Sequence, residues 1–184
     1  VEELGYRVEY WERRSSIQED TYFDDAMLTL YNRGLSFRLR DTGEVKLITL
    51  KGRLPSQDIH EAHHAYRRLK EEVAIAADDE SAIRSGERLN AFPCRLLLYL
   101  APECGRLEQK LRIRTQRRRM TIVDTQGEKA TMTWDRVHYP HPDGEPGAEM
   151  ELELESEGMR TDDMEALAEL LGNTLGLSRT TRSR

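Results

Sequence analysis

Very little in this chain supports a membrane segment, a disulfide framework or a dedicated nucleic-acid surface. No apolar run approaches the ~20 residues of a membrane helix, and Val1-Glu2-Glu3 shows neither the basic nor the apolar part of a secretory leader. Only two cysteines are present, Cys94 and Cys104, in neither a CxxC nor a disulfide-dense pattern, so the expected compartment is a reducing cytoplasm. Hydrophobic residues make up 38% and aromatic residues 7% of the 184, which is low but enough for one core in a chain of single-domain length. Basic residues are outnumbered, 28 against 34, and the net charge of −6 disfavours a dedicated nucleic-acid binder. No internal repeat, low-complexity tract or interdomain linker interrupts residues 1–184.

What is abundant is alternation. Leu35, Phe37 and Leu39 interleave with Ser36, Arg38 and Arg40, a period of two that predicts a strand. After Asp41-Thr42-Gly43 a second alternating run from Val45 to Lys51 ends at Gly52, which reads as a hairpin. Further strands are expected at Asp20–Asp24, at Tyr66–Ile75 (where the charge content would equally suit a helix), at Leu107–Val123, at Lys129–Val137 after a turn at Gln126-Gly127, and at Glu149–Glu155. Helical stretches are expected within Ser81–Leu100, broken near Pro93, and at Thr161–Leu171. There Thr161 is the N-cap candidate, Asp162 and Asp163 suit the helix dipole, and Met164, Leu167, Leu170 and Leu171 form one apolar face.

The polar strand faces carry charge of one sign. Ser36, Arg38 and Arg40 share a face, Thr49 and Lys51 another, and Lys110, Arg112 and Arg114 a third, followed by Arg117-Arg118-Arg119; Glu149, Glu151, Glu153 and Glu155 all project from one face of a single strand. Like charges at i, i+2 repel, so a bare surface gains nothing from the pattern. A polyanion would compensate the arginines and a divalent cation the glutamates, whose hard oxygens suit Mg²⁺ or Mn²⁺. A metal-chelated polyphosphate supplies both. A closed antiparallel barrel of about eight strands would turn the charged faces into a lumen and the apolar faces outward, under the helices.

Four stretches resemble the CYTH superfamily, the triphosphate tunnel metalloenzymes. Asp20-Thr21-Tyr22-Phe23-Asp24-Asp25 is similar to the family's DTYFD strand, Leu35–Arg40 to its LRxR strand, Thr49-Leu50-Lys51-Gly52 to its TLKG turn, and Glu149–Glu155 to its ExExE strand, in the form found in bacterial inorganic triphosphatases. Glu72 before Val73-Ala74-Ile75, Asp135, and the terminal Ser183-Arg184 extend the likeness across the chain. The resemblance implies an α+β fold, a closed antiparallel eight-stranded barrel with helices packed outside it. It also implies that Arg38, Arg40, Lys51, Arg112 and Arg114 hold a triphosphate. Arg117 and Arg119 are further candidates for substrate binding, subject to a bulge that decides which of Arg117, Arg118 and Arg119 faces inward. Glu149 and Glu151, with Glu153, Glu72 and Asp135, are the implied ligands of Mg²⁺ or Mn²⁺. The implied chemistry is attack of water on a terminal phosphorus, with Glu151, Arg40 and Lys51 as catalytic residues. Inorganic triphosphate is the first expected substrate and nucleoside or thiamine triphosphate the next. A class IV adenylate cyclase and a non-catalytic polyphosphate-binding module remain open, and the oligomeric state is either monomer or homodimer.

The family opens with an ExExK strand that this sequence lacks, and Glu9-Tyr10-Trp11-Glu12-Arg13 does not match it. Val1–Tyr6 resembles the end of the helix that follows that strand. The expectation is therefore an N-terminally truncated domain with its first strand missing, in keeping with seven strands counted where closure wants eight. His60-Glu61-Ala62-His63-His64 matches the zinc-protease HExxH, but its polar neighbours, with Ile59 the one sizeable apolar residue before Tyr66, predict an exposed loop or short helix. Arg117-Arg118-Arg119 could track RNA phosphates, yet no aromatic stacking platform is interleaved with them.

Overall fold

The alternation read from Leu35 to Arg40 is β3 (Leu35–Asp41), and the run after it is β4 (Lys46–Arg53). Their turn is closed by Thr42 N–H on the Val45 carbonyl (3.1 Å) and by Gly43 N–H on Asp41 Oδ1 (2.8 Å), with Gly43 at φ 82°, a conformation only glycine adopts without strain. The computed structural model describes residues 5–53, 68–87, 90–140 and 147–178. The HExxH segment, the terminal Ser183-Arg184, His141, residues 66–67 and residues 1–4 of the expected helix end lie outside the described residues.

The other elements are β1 (Arg7–Trp11), β2 (Ser16–Asp24), α1 (Thr29–Asn32), β5 (Arg68–Ala74), α2 (Ala77–Arg84), α3 (Phe92–Leu100), β6 (Glu108–Val123), β7 (Lys129–Tyr139), β8 (Gly147–Ser156) and α4 (Thr161–Leu175). The eight strands form one sheet in the order β5-β4-β3-β2-β6-β7-β8, with β1 on β6, and every pairing with a described register is antiparallel. The fold is α+β. Among the described residues the count of seven strands is corrected to eight by β1, and the sheet is not closed into the expected barrel. The five residues of β1 are all exposed, and the alternation of Arg7-Val8-Glu9-Tyr10 is cut short at Trp11, so the run does not stand out beside the longer ones.

The chain forms two compact units, Gln18–Arg114 with Tyr139–Pro146, and Val1–Ile17 with Thr115–His138 and Gly147–Arg184. In the first, the register sets Thr21 opposite Leu39, Phe23 and Leu50 opposite Phe37, and Ile48 opposite Leu39. These apolar side chains are buried with Leu30, Ile83, Cys94, Leu97, Ala101 and Cys104, so α2 and α3 cover the apolar face of the strands, as the amphipathic reading required. Phe23 and Phe37 meet edge to face, ring centroids 6.4 Å apart. Pro93 does not break a helix. It lies in the first turn of α3, where a missing N–H costs nothing. The one-turn α1 has no side-chain cap of its own. Instead Asp24 accepts the Leu30 and Tyr31 N–H groups (2.9 Å each), while Asp25 accepts from Met27 N, Thr29 N, Thr29 Oγ1 and Gly105 N at 2.7–3.0 Å. The last two residues of the DTYFDD stretch are therefore structural.

In the second unit, β1 pairs with β6 from Arg7↔Val123 to Trp11↔Met120, and the register slips between Val8 and Tyr10. Tyr6, Ile122, Ala130, Met132, Met159, Leu167 and Leu171 form the core, with Met164 packed against it, so α4 buries three of the four residues expected of its apolar face, Met164, Leu167 and Leu171. Arg160, not Thr161, occupies the N-cap, and Thr161 is the first helical residue. α4 ends at Gly176, φ 65°.

Candidate functional site

Residues directly opposite in paired strands share a face. Tyr22, Arg38, Thr49 and Glu72 make one such row across β2, β3, β4 and β5; Asp20 faces Arg40 in the next, and Ser36, Lys51 and Lys70 line up in a third. Arg38, Arg40, Lys51 and Glu72, four of the residues singled out in the sequence, are thereby brought to one polar face of the first unit, opposite its apolar core.

The centre of that face is Asp20, which sequence reading had placed in a motif without giving it a role. It is 4% exposed, and its carboxylate accepts from Arg38 Nη1 (3.1 Å), Arg40 Nε (2.8 Å) and Arg40 Nη2 (2.8 Å). Burial alone would raise its pKa. The Arg40 hydrogen bond and the charges of Arg38, Arg40 and Lys51 outweigh that and hold the carboxyl below its usual range. Asp20 thus bridges two guanidiniums with a single carboxylate. Arg38 is 5% exposed, and its Nε donates to no acceptor among the described residues; Ser36 Oγ, on the same face, is likewise buried and unsatisfied, as is Gln18 Oε1. Buried donors left unmade are costly, so the Arg38 guanidinium fits an anionic ligand. Glu72 accepts the Thr49 hydroxyl (2.7 Å), and this bond, with the charges of Lys70, Arg38 and Arg40, overcomes its desolvation and lowers its pKa.

Arg112 is placed elsewhere. It pairs with Glu19, which alternates with Asp20 and so projects from the other side of β2. Arg114, two residues on, is exposed, and Lys110 is paired with Glu108 at 2.8 Å. The triphosphate-holding role expected of Arg112 and Arg114 would thus have to be exercised away from Asp20.

In the second unit Arg117 meets Asp135 fork to fork, Nε–Oδ1 2.8 Å and Nη2–Oδ2 2.6 Å, and Glu153 Oε2 lies 3.8 Å from Arg117 Nη2. This places Arg117, the first of the three arginines, with the acidic residues of β7 and β8. Arg119 instead lines, with Arg118, Trp11, Trp134, Met120, Met132, Leu152 and Leu175, a cavity of about 320 Å³. Two tryptophans lie there beside the arginines, supplied by strands other than β6.

Glu149, Glu151 and Glu153 occupy alternate positions of β8, about 7 Å apart along the strand. Their oxygens suit a hard cation. Both Asp135 oxygens are already taken by Arg117, and among the described residues no three His, Cys, Asp or Glu side chains are grouped closely enough to hold a metal ion. Mg²⁺ is commonly held by one or two carboxylates, waters and the substrate's own phosphates, so a carboxylate pair fits a metal that arrives with its ligand.

The carboxylates set how the fold responds to acid. Asp20, Glu72, Asp25 (through its Gly105, Thr29 and Met27 hydrogen bonds) and Glu80 (held by Lys46 and Arg84) all have lowered pKa values. Their contribution is complete above the unfolded carboxylate range, about pH 4, and is lost as pH falls through the lower folded values. The urea midpoint is expected to be level above about pH 5.5 and to fall steeply below about pH 4. A midpoint still level at about pH 3 would contradict these assignments.

A model of the CYTH domain matches residues 8–182. Among solved structures, a candidate adenylate cyclase from Bacillus halodurans superposes with a TM-score of 0.66 at 14% identity, over 92% of this chain and 80% of that one. HpAC1 from Hippeastrum, named as a candidate adenylyl cyclase with a dominant triphosphatase activity, gives a TM-score of 0.65 at 15% identity, over 95% of this chain and 80% of that one. At such identities the likeness concerns the fold. No curated protein sequence matches significantly. With nearly the whole chain matched by one family model, this protein belongs to the CYTH domain family.

Proposed function

We propose that the protein hydrolyses short phosphoanhydrides, inorganic triphosphate first and nucleoside or thiamine triphosphate next, in the manner of bacterial inorganic triphosphatases. CYTH domains are typically triphosphate tunnel enzymes that use divalent metal ions, and residues 1–184 would form one such domain, its sheet closed into a barrel around the ligand. The observation that carries this reading is the Asp20-Arg38-Arg40 cluster, a buried group with an unsatisfied donor. Arg38, Arg40 and Lys51 would bind the phosphates. Their charges would stabilise the non-bridging oxygens as water attacks the terminal phosphorus and pyrophosphate leaves. Glu149 and Glu151 would hold Mg²⁺ or Mn²⁺, which supplies charge neutralisation to the chelated phosphates.

Glu151→Gln in the complete protein is expected to abolish metal-dependent phosphate release from tripolyphosphate. Undiminished turnover would remove Glu151 from the site. A second reading is that the same face orients a ribose hydroxyl; a cyclic nucleotide and pyrophosphate formed from ATP, without orthophosphate, would establish it. Tight tripolyphosphate binding with no turnover in any divalent metal would leave a binding module.

A further inference from the structure

We propose that Asp20 is a positioning residue, a buried counter-anion that aligns the Arg38 and Arg40 guanidiniums as a phosphate clamp and limits how tightly that clamp binds the ground state. This deepens the triphosphate reading and rests on it. Each Asp20 oxygen is used: Oδ1 by Arg40 Nε, and Oδ2 by both Arg38 Nη1 and Arg40 Nη2. A shared oxygen fixes the two guanidiniums relative to each other, which a private ion pair to either one would not do. The arrangement is buried, with side-chain exposures of 5% for Arg38, 13% for Arg40 and 6% for Asp20, so the side chains have little room to re-orient. The register that puts Asp20 opposite Arg40 also puts Arg38 between Tyr22 and Thr49, and its Nε remains for a ligand.

Removing the Asp20 charge has two consequences of opposite sign. An anion then meets a desolvated site that is more positive by one charge and binds more tightly. The two guanidiniums, repelling each other without their bridge, no longer hold the geometry that favours the transition state. A residue that merely supports the fold would instead lower the active fraction and leave KM where it was.

Asp20→Asn and Asp20→Glu in the complete protein separate charge from geometry. For Asp20→Asn, the Kd for tripolyphosphate measured by calorimetry is expected to tighten at least ~3-fold, with KM falling alongside it, while kcat drops at least ~10-fold. Asp20→Glu keeps the charge and moves it by one methylene, so kcat should fall with Kd and KM unchanged. An Asp20→Asn protein whose kcat falls at unchanged KM and Kd, or whose kcat is unchanged, overturns the inference. If Asp20→Asn does not fold, by circular dichroism, Asp20→Glu decides alone, and wild-type kcat in that variant overturns it. Wild-type protein that neither binds nor hydrolyses tripolyphosphate would instead overturn the triphosphate reading itself.

Discussion

Arg38→Ala weakens tripolyphosphate binding by about 100-fold, the largest loss expected of any single side chain on the polar face. Hydrogen bonds to charged groups are worth about 1.5–3 kcal/mol each, and two such contacts from Arg38 amount to about 3 kcal/mol or more, hence two orders of magnitude in Kd. Arg38 is 5% exposed, so its charge acts with little screening, and its Nε has no acceptor among the described residues to compete with a phosphate oxygen. The fold should tolerate the change, because Arg40 alone keeps both Asp20 oxygens occupied at 2.8 Å. Arg38→Lys retains a charge without the fork and is expected to lose about 10-fold. Arg33, exposed at the surface against Glu103, is the control, and its replacement by alanine should change Kd by less than about twofold. Calorimetric titration decides: an Arg38→Ala protein that binds within about threefold of wild type would remove Arg38 from any anion site.

The strands were legible because period-two alternation along one segment is a local property. It identified β3, β4 and β8 closely, and the structure settles the segment before Ile75 as β5, where charge content had left helix and strand open. β1 and α1 were missed for different reasons. β1 has no buried face to betray it, and α1 is held by Asp24 from outside its own four residues. The site was half legible by the same logic. Which charges share a strand face can be counted along a sequence, so Arg38 with Arg40 was readable. Which carboxylate lies across from them depends on register, and Asp20 is 20 positions from Arg40, just as Asp135 is 18 from Arg117. Faces that seemed single-signed along a strand are therefore partly compensated across strands, by Asp20, Glu19 and Asp135. A polyanion still fits at Arg38, whose buried Nε has no acceptor among the described residues. Arg112, in its exposed pairing with Glu19, needs no ligand.

Asp135→Ala is expected to destabilise the protein by about 3–5 kcal/mol, the cost of stranding one partner of a buried ion pair. Asp135 is 6% exposed, and both its oxygens accept from the Arg117 guanidinium at 2.6 and 2.8 Å. Without it the charge stays in a half-dry environment where Glu153, 3.8 Å away and half exposed, gives partial compensation, which points to the lower end of that range. With a urea m-value of about 1–3 kcal/mol/M, the midpoint should fall by about 1–3 M. The sign of this result separates two roles for Asp135. A metal ligand held among other carboxylates without its ion repels them, so alanine there should raise stability in metal-free buffer. An arginine partner should lower it, as the geometry requires. Replacing both residues, Arg117→Met with Asp135→Leu, removes the desolvation cost of both charges and is expected to restore the midpoint to within about 1 kcal/mol of wild type or above it. A single Asp135→Ala variant as stable as wild type, measured by urea unfolding with and without Mg²⁺, would show that the Arg117 fork contributes nothing to the fold and would return Asp135 to the set of candidate metal ligands.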